Sequence, residues 1–268
     1  AYEGDGSDPA NTWYEGKKVG EIWGYRASGL IQTQEEADEY NAAHDLSYLS
    51  GQAWMPGDVK YVDLNGDKKI NNGSNVLGDM GDMTVIGNTT PRYQYTVNGS
   101  ISWKGVTLSM MFQGVGKRDW SPAMNTSYFW GSGAYAQVTV FKEHLDYWTP
   151  DNPDAYYPNP YTAGNAAVGR YRAKTSQKSD RYMQSAAYCR LKNLTVSYDL
   201  PEAWISKLHL TKAQVFFSGE NLLTFTKLSS IFDPEGLFTN NSYNNSLEQA
   251  GKNYPMTRVF SVGVILNM

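Results

Sequence analysis

The acidic and amide side chains of the segment 57–72 have the types and the spacing of a calcium-binding loop. Asp63, Asn65 and Asp67 occupy alternate positions. The first, third and fifth residues of calcium loops are spaced in this way, so that their side-chain oxygens surround one ion. Lys69 follows at the seventh position, where a backbone carbonyl is the usual ligand. The spacing therefore predicts a structural calcium site.

Two residues depart from the usual calcium-loop pattern. Lys68 stands where a glycine normally makes the sharp turn, and Ser74 stands where a carboxylate normally closes the ligand shell. The excursion 73–81 can move the closing ligand to Asp79 or Asp82. A surface turn rich in Asn, Asp and Gly, without a metal, remains the alternative.

The other reactive residues form no catalytic pattern. His44, His144 and His209 lie in separate contexts without metal-ligand spacing, which favours surface or packing roles. Cys189 has no histidine partner in its strand-like run, which favours a packed or lipid-facing thiol. The sequence contains no nucleophile elbow, phosphate-binding loop or dinucleotide fingerprint. We therefore expect no enzymatic activity.

Clustered aromatic residues offer a second kind of candidate site. Such rings can stack on the faces of sugars, but packing within loops or an interfacial aromatic girdle is the favoured interpretation. The clusters are Tyr128-Phe129-Trp130, Tyr147-Trp148 and Tyr156-Tyr157.

Composition and charge exclude several classes of protein. The chain is 14% aromatic and only 19% charged and contains 25 glycines, a mixture that suits strands and turns. A net charge of −4 without any basic block argues against nucleic-acid binding. No apolar stretch reaches the roughly 18 residues of a spanning helix, which excludes a helical membrane protein. A membrane β-barrel is not excluded, because its strands alternate apolar and polar residues and therefore contain no long apolar stretch.

Alternation of apolar and polar residues predicts the strands that would carry these sites. Lys104 and Gly105 form a two-residue turn between the first two strands, which predicts a tight hairpin. Each strand has one apolar and one polar face. The predicted strands are 93–103, 106–113, 194–200, 212–225 and 260–268.

Long connections separate these strands, at about 31–91, 115–185 and 227–253. Connections of this length are functional or internally folded. We expect short helices in two places, over 33–43 with Thr33 as N-cap and around 138–148. Short turns on one side of a sheet and long loops on the other are typical of outer-membrane barrels.

Several short sequence motifs follow one another along nearly the whole chain. They are 19–25, 29–36, 57–67, 85–93, 112–119, 147–153, 190–194, 219–224, 233–235 and 254–258. In this order, they closely resemble the late barrel of the SusC/RagA family of TonB-dependent outer-membrane transporters.

The resemblance implies an all-β fold, the C-terminal segment of a 22-stranded antiparallel transmembrane β-barrel with long extracellular loops. Residues 1–268 would form this C-terminal portion of the barrel without the plug domain, and residues 57–87 would form a calcium-binding extracellular loop. Because the resemblance favours Asp82 as the final ligand, the expected metal-binding set is Asp63, Asn65, Asp67, Lys69 and Asp82.

The same resemblance implies a function and partners. Family members import large nutrients, usually oligosaccharides and sometimes peptides, across the outer membrane of Gram-negative cells. A SusD-like surface lipoprotein would act as a lid, and the TonB complex would supply energy through an N-terminal part that has no counterpart in this sequence. We therefore expect contact with a lipid bilayer, no contact with nucleic acid, and a chain that is one piece of a longer protein.

Two other classes of protein remain as alternatives. One is a soluble, calcium-stabilised β-sandwich module that binds carbohydrate through exposed aromatic side chains. The other is a secreted hydrolase, because acidic residues are plentiful. The strands of a sandwich recur about every 8–12 residues, and the much longer connections here favour the barrel.

Overall fold

A computed structural model of the protein describes residues 6–122, 129–130, 140–160, 174–237 and 256–268. The chain forms two compact units. The loop unit comprises Ala1–Thr90, Asp119–Gln184 and Leu237–Asn253, and the sheet unit comprises Pro91–Arg118, Ser185–Gly236 and Tyr254–Met268. Of the residues singled out above, Tyr128, Tyr254, Pro255 and residues 138–139 lie outside the described ranges.

Strands dominate the described residues, and no helix among them is long and apolar enough to span a membrane. Within the described ranges, short 3-10 helices cover Lys142–Leu145, Asp180–Tyr182 and Ser206–Leu208. The regular elements are β1 (Glu21–Tyr25), β2 (Ala27–Leu30), α1 (Gln34–Ala43), β3 (Val59–Tyr61), β4 (Met83–Asn88), β5 (Arg92–Trp103), β6 (Val106–Lys117), β7 (Asp119–Trp120), β8 (Gln184–Ser185), β9 (Tyr188–Asp199), α2 (Glu202–Ile205), β10 (Lys212–Thr226) and β11 (Val259–Asn267).

The sheet unit contains one open antiparallel sheet of five strands in the order β11-β10-β9-β6-β5. All the predicted strands are present in it. Lys104 and Gly105 both have positive φ, 49° and 84°, as a tight two-residue hairpin turn requires. The short links β5–β6 and β9–β10 lie at one end of the sheet, and the longer connections that follow β6 and β10 leave from the other end. The predicted asymmetry of the connections is therefore confirmed.

One face of this sheet is apolar and exposed. Cross-strand pairing places Val97 opposite Phe112 on neighbouring strands, and it places Phe217 opposite both Val196 and Val262. Val262 is 78% exposed. The alternation of each strand, kept in register across the sheet, thus gathers its apolar side chains on one outward surface.

The opposite face is polar and is linked by side-chain hydrogen bonds. Ser100 and Ser109 are joined at 3.0 Å, and Thr195 and Ser218 at 3.1 Å. These pairs connect neighbouring strands, so hydroxyl groups reinforce the backbone ladder on this side.

The loop unit shows that the first long connection is internally folded. Strand β1 pairs with β4, and β2 pairs with β3, both antiparallel. These strands have three to six residues, too few to show a clear alternation in sequence. A core of fully buried apolar residues lies within the unit: Ile31, Ala37, Trp54, Val59, Ile70 and Phe129.

The two predicted helices have different outcomes. Helix α1 begins directly after Thr33, whose hydroxyl accepts a hydrogen bond from the Glu36 N–H at 3.2 Å. The predicted N-cap is therefore confirmed. In place of a helix around 138–148, the described part of that segment contains only the 3-10 helix Lys142–Leu145. Pro150, shortly afterwards, cannot donate a backbone hydrogen bond and disfavours helix before it.

Candidate functional site: a candidate calcium loop

The predicted calcium loop connects β3 with β4 and is attached to a distant segment by backbone hydrogen bonds. The Asp45 N–H donates to the Lys68 carbonyl at 2.7 Å, and the Ile70 N–H donates to the Asp45 carbonyl at 3.0 Å. The Ile70 side chain is fully buried. Ile70 therefore anchors the loop in the core of the loop unit, as the apolar residue of a calcium loop does.

Alternate side chains of the loop turn inward onto its own backbone. Asp63 accepts hydrogen bonds from the Gly66 N–H at 2.6 Å and from the Lys68 N–H at 2.9 Å. Asn65 accepts from the Asp67 N–H at 3.0 Å, and Asp67 accepts from the Lys69 N–H at 2.8 Å. These side-chain turns curl the chain so that oxygen atoms at alternate positions come close together.

Lys68 adopts the backbone conformation that a glycine usually supplies at the sixth position of a calcium loop. Its φ is 61°, in the left-handed region, and Gly66, two positions earlier, has a φ of 79°. The left-handed region costs a residue with a side chain roughly 1–2 kcal/mol. The departure at this position therefore strains the loop without preventing its tight turn.

Three of the predicted ligands line one shallow pocket of about 380 Å³: Asn65, Asp67 and Lys69. Asn71 and Ser74 continue the alternate pattern around the same pocket. The rest of the wall comes from the excursion and from the Asp45 segment: Asp45, Ser47, Tyr48, Gly73 and Asp79.

Asp45 is the residue that sequence reasoning missed. It precedes the loop by many positions, and only the backbone bonds to Lys68 and Ile70 bring it to the pocket. The carboxylate of Asp79 accepts from the Ser74 N–H at 3.2 Å and from its hydroxyl at 2.5 Å. The Ser74 hydroxyl, followed by its N–H, holds the pKa of Asp79 below its usual range.

Asp82 lies beneath the loop rather than in the pocket wall. Its side chain is fully buried and accepts from the Leu64 N–H at 2.7 Å and the Asn71 N–H at 3.0 Å. Burial raises the pKa of Asp82, the N–H groups of Asn71 and Leu64 oppose that shift, and the negative charge of Asp63 adds to it. Asp63 and Asp82 thus form a repelling pair of carboxylates.

The carboxylates are spread around the loop. Among the described residues, no three His, Cys, Asp or Glu side chains converge on a point where they could hold a metal by themselves. Amide and backbone carbonyl oxygens, such as those of Asn65 and Lys69, would therefore have to complete a shell for a cation. Such mixed oxygen ligands suit calcium.

A buried ion pair anchors the chain just before β3. Lys174 Nζ lies 2.6 Å from Asp58 Oδ2, and both side chains are fully buried. The same ammonium donates to the Ala53 carbonyl at 2.8 Å and lies 5.7 Å from the centre of the Trp54 ring. Burial lowers the pKa of Lys174, and the carboxylate of Asp58 opposes that shift. The segment leading into the loop is therefore held from the inside of the loop unit.

The described side chains of the predicted aromatic clusters pack within the loop unit instead of forming an open platform. Trp130 stacks on Tyr157 with 4.6 Å between the ring centres, and Phe129 and Trp130 are 0% and 3% exposed. His144 packs edge-on against Trp130 and Tyr157. Trp148 is also buried, and its indole N–H donates to Gln32 at 3.0 Å. The favoured interpretation as loop packing, for these rings and for His144, is confirmed.

The remaining singled-out side chains are not among the residues that line the pocket. His44 packs on the Tyr40 ring, and its Nδ1 lies 3.1 Å from the Tyr40 carbonyl oxygen. His209 is exposed. Cys189 is half-buried within β9. These positions agree with the packing and surface roles expected from the sequence.

No family model matches the chain, but curated proteins resemble it over most of its length. It is 31% identical to TonB-dependent receptor P3 of Formosa agariphila over 259 residues, which are 95% of the chain and 22% of that protein. It is 27% identical to TonB-dependent receptor P26 of the same organism over 252 residues, 93% of the chain and 22% of that protein. The chain thus spans about a fifth of the length of these relatives.

Solved structures support the same fold. The RagAB peptide importer in its open-open state matches 96% of the chain and 23% of its own chain, with a TM-score of 0.58 and 19% identity. The RagAB peptide transporter matches 96% of the chain and 24% of its own, with a TM-score of 0.57 and 22% identity. The names of all these proteins describe receptors and importers rather than enzymes, which is consistent with the expectation of no enzymatic activity.

Replacement of Lys174 by Met should lower the free energy of unfolding of the intact protein by about 3–5 kcal/mol, because Asp58 would remain buried and charged without the compensating ammonium. Chemical denaturation followed by tryptophan fluorescence measures this change. The control is Lys60→Met, which breaks a pair with Glu36 whose side chains are each 30% exposed, and it should cost less than about 1 kcal/mol. Equal losses in the two variants would contradict the anchoring role of Lys174.

Proposed function

We propose that this chain, a SusC/RagA-like TonB-dependent transporter fragment, belongs to a protein that imports large nutrients across the outer membrane of a Gram-negative cell. The observation that carries this proposal is the apolar, exposed face of the five-stranded sheet. Apolar surface of this extent is rarely left in contact with water and marks a membrane or a protein interface.

The strand lengths agree with a membrane-spanning sheet. Strands β5, β6 and β9 have 12 residues each, β10 has 15 and β11 has 9. A tilted strand needs roughly 9–11 residues to cross the hydrocarbon core. These strands are therefore long enough to present the apolar face to lipid.

The two outer strands of the sheet point to a larger assembly. Strand β5 lies at one edge and β11 at the other, and backbone groups at an edge need a partner within lipid. We propose that the rest of the longer protein supplies neighbouring strands and closes a 22-stranded barrel, a known size of outer-membrane transporters. The long connections at one end of the sheet would then be extracellular.

A glycan substrate fits the chemistry of the polar face best. Ser100, Ser109, Thr195 and Ser218 present neutral hydroxyl groups there. Neutral hydroxyl groups hydrogen-bond to a polyhydroxylated solute without selecting a charge. The RagAB structures describe a peptide importer, so peptides are the second candidate. We propose a SusD-like lipoprotein as lid, by analogy with the two-component name RagAB, and the TonB complex as energy source.

The soluble β-sandwich alternative lacks such support. A sandwich buries the apolar faces of two sheets against each other, whereas Ile101 and Val262 on this face are 67% and 78% exposed. The sugar-binding aromatic surface of that alternative is also missing at Phe129, Trp130 and Tyr157, which are buried.

We further propose that the loop binds a structural calcium ion. Asn65, Asp67 and the Lys69 carbonyl would supply oxygen ligands from the pocket wall. Asp63 and Asp82 do not line that wall and would turn toward the ion to complete the shell. The repulsion between the carboxylates of Asp63 and Asp82 supports this assignment, because a divalent cation between them would relieve it. Each carboxylate oxygen has more than one acceptor site, so its bond to a backbone N–H leaves room for a cation.

The full-length gene product should fractionate with the outer membrane and migrate differently on gels with and without boiling. Within that protein, Val262→Arg should abolish the heat-shifted band or lower the free energy of unfolding of the barrel by about 2–4 kcal/mol, because a charged side chain would face lipid. Its neighbour Ser261 lies on the other face, so Ser261→Arg is the matched control and should keep the band. A soluble protein, or equal effects of the two variants, would contradict the membrane assignment.

Uptake of labelled solutes separates the two substrate classes. Cells carrying the full-length gene should accumulate a fluorescent mixture of neutral oligosaccharides at least tenfold above cells that lack the gene, and this difference should vanish when TonB is deleted. A fluorescent peptide digest serves as the competing probe. Gene-dependent uptake of peptides alone would replace the glycan proposal, while gene-independent uptake of both would contradict import.

Calcium should protect the loop from unfolding and proteolysis. At calcium concentrations about 100-fold above Kd, binding to the folded state adds about 2.7 kcal/mol of stability. Chelation should therefore raise the rate of cleavage within 63–82 of the intact protein, and Asp67→Ala should make cleavage insensitive to calcium. Asp38, on the exposed side of α1, provides the control variant Asp38→Ala. Calcium-independent cleavage of the unaltered protein would contradict the proposed site.

A further inference from the structure

A buried cluster of charges lies on the sheet unit, beside the end of β10. Arg190 is at its centre: its side chain is 3% exposed. Its Nε donates to Thr224 Oγ1 at 2.8 Å, and its Nη2 donates to Asp233 Oδ2 at 2.8 Å. Its Nη1 lies 3.3 Å from Glu235 Oε1. One guanidinium therefore contacts both strand β10 and the segment that follows it.

The carboxylates of Asp233 and Glu235, in the segment that follows β10, accept further hydrogen bonds. Glu235 Oε2 accepts from Lys192 Nζ at 2.9 Å. Asp233 accepts from the Glu235 N–H at 2.9 Å and from the Met256 N–H at 3.2 Å, just before β11. Arg190, Lys192, Asp233 and Glu235 form what we call the Arg190 cluster. It connects β9, the segment after β10 and the approach to β11.

The cluster lies on the polar face of the sheet, at the end where the long connections leave. Arg190 is paired in register with Gln113 on one side and Thr224 on the other. At the opposite end of the sheet, the pair Lys212 and Asp199 is 3.6 Å apart with side chains 52% and 43% exposed. The pair of Arg190 and Asp233 is buried, whereas the pair of Lys212 and Asp199 is exposed. The exposed pair therefore serves as the reference.

Charges and apolar burial together hold the segment 228–236 against the sheet. Its buried apolar side chains are those of Leu228, Phe232 and Pro234. Burial by itself would raise the pKa of Asp233, but the Glu235 N–H and the Arg190 guanidinium hold it below its usual range. Asp233 is therefore ionised near neutral pH and attracts Arg190 at short range.

The cluster costs free energy that a hydrophobic contact would not. Arg190 Nη1 and Glu235 Oε1 are buried and lie close together without a hydrogen bond of good geometry. Buried ion pairs contribute little net stability because both charges lose their hydration, but loss of one partner leaves the others uncompensated. Such an arrangement specifies position rather than overall stability.

We propose that Arg190 is a positioning residue that anchors the segment 228–236, and that this anchor can open while the β-sheet stays folded. The strands keep their own backbone ladder, with β9 and β10 paired over most of their length. The segment has no such ladder and is held by the cluster and by a few buried apolar side chains. The anchor would thus determine where the chain leaves β10 and returns to β11. This inference concerns the sheet unit alone and holds whether or not the protein is an importer.

Hydrogen exchange of backbone amides in the intact full-length protein tests the anchor. In Arg190→Met, the amides of Glu235 and Met256 should exchange at least tenfold faster, because their acceptor Asp233 loses its partner. Amides within the paired parts of β9 and β10 should change less than twofold. Arg190→Lys should give an intermediate rate, since one ammonium cannot reach Thr224, Asp233 and Glu235 together.

Two further variants make the result decisive. Lys212→Met removes the exposed pair at the opposite end and should leave exchange in 228–236 unchanged. If Arg190→Met fails to fold, Glu235→Gln answers the same question, because it removes one charge from the cluster and leaves Asp233 as the acceptor of both amides. Equal acceleration of the segment and the strands would show a purely structural role, and no acceleration of the segment would show that Arg190 does not anchor it. Either result would overturn the proposal.

Discussion

The cross-strand register of the five-stranded sheet is the constraint on which most of the structure depends. Side chains alternate along each strand, so a slip by one residue would move every apolar side chain to the polar face. The hairpin turn at Lys104 and Gly105 fixes the register of β5 on β6. Once this register is set, the apolar face, the hydroxyl-rich face and the common exit of the long connections all follow.

The loop unit is stabilised by a buried core and a buried ion pair instead of by one large sheet. Its connections are too long to remain without structure in a compact protein, and they fold around a core that includes Ile31, Trp54 and Ile70. The buried pair of Asp58 and Lys174 ties residues 116 positions apart. Apolar side chains are thus buried inside the loop unit but exposed on one face of the sheet unit.

The candidate calcium loop shows how local and distant interactions combine. Its side-chain turns are built from neighbours a few positions apart, such as Asp63 with Gly66 and Lys68. Its attachment depends on Asp45, which precedes the loop by many positions, and on Asp82 at the end of the loop. Calcium would act mainly on geometry that the backbone has already formed, because the tight turn exists even with a lysine at the left-handed position.

The amino-acid sequence by itself determined the sheet strands, the hairpin turn, the N-cap at Thr33 and the alternate spacing of the loop side chains. These features depend on periodicity and on interactions between near neighbours, which a single sequence displays. Only the tertiary structure decided that Asp45 borders the loop pocket, that Asp82 lies beneath it, and that Arg190 contacts Asp233 and Glu235. Partners far apart along the chain leave no local pattern, because their contact arises from packing of the whole unit.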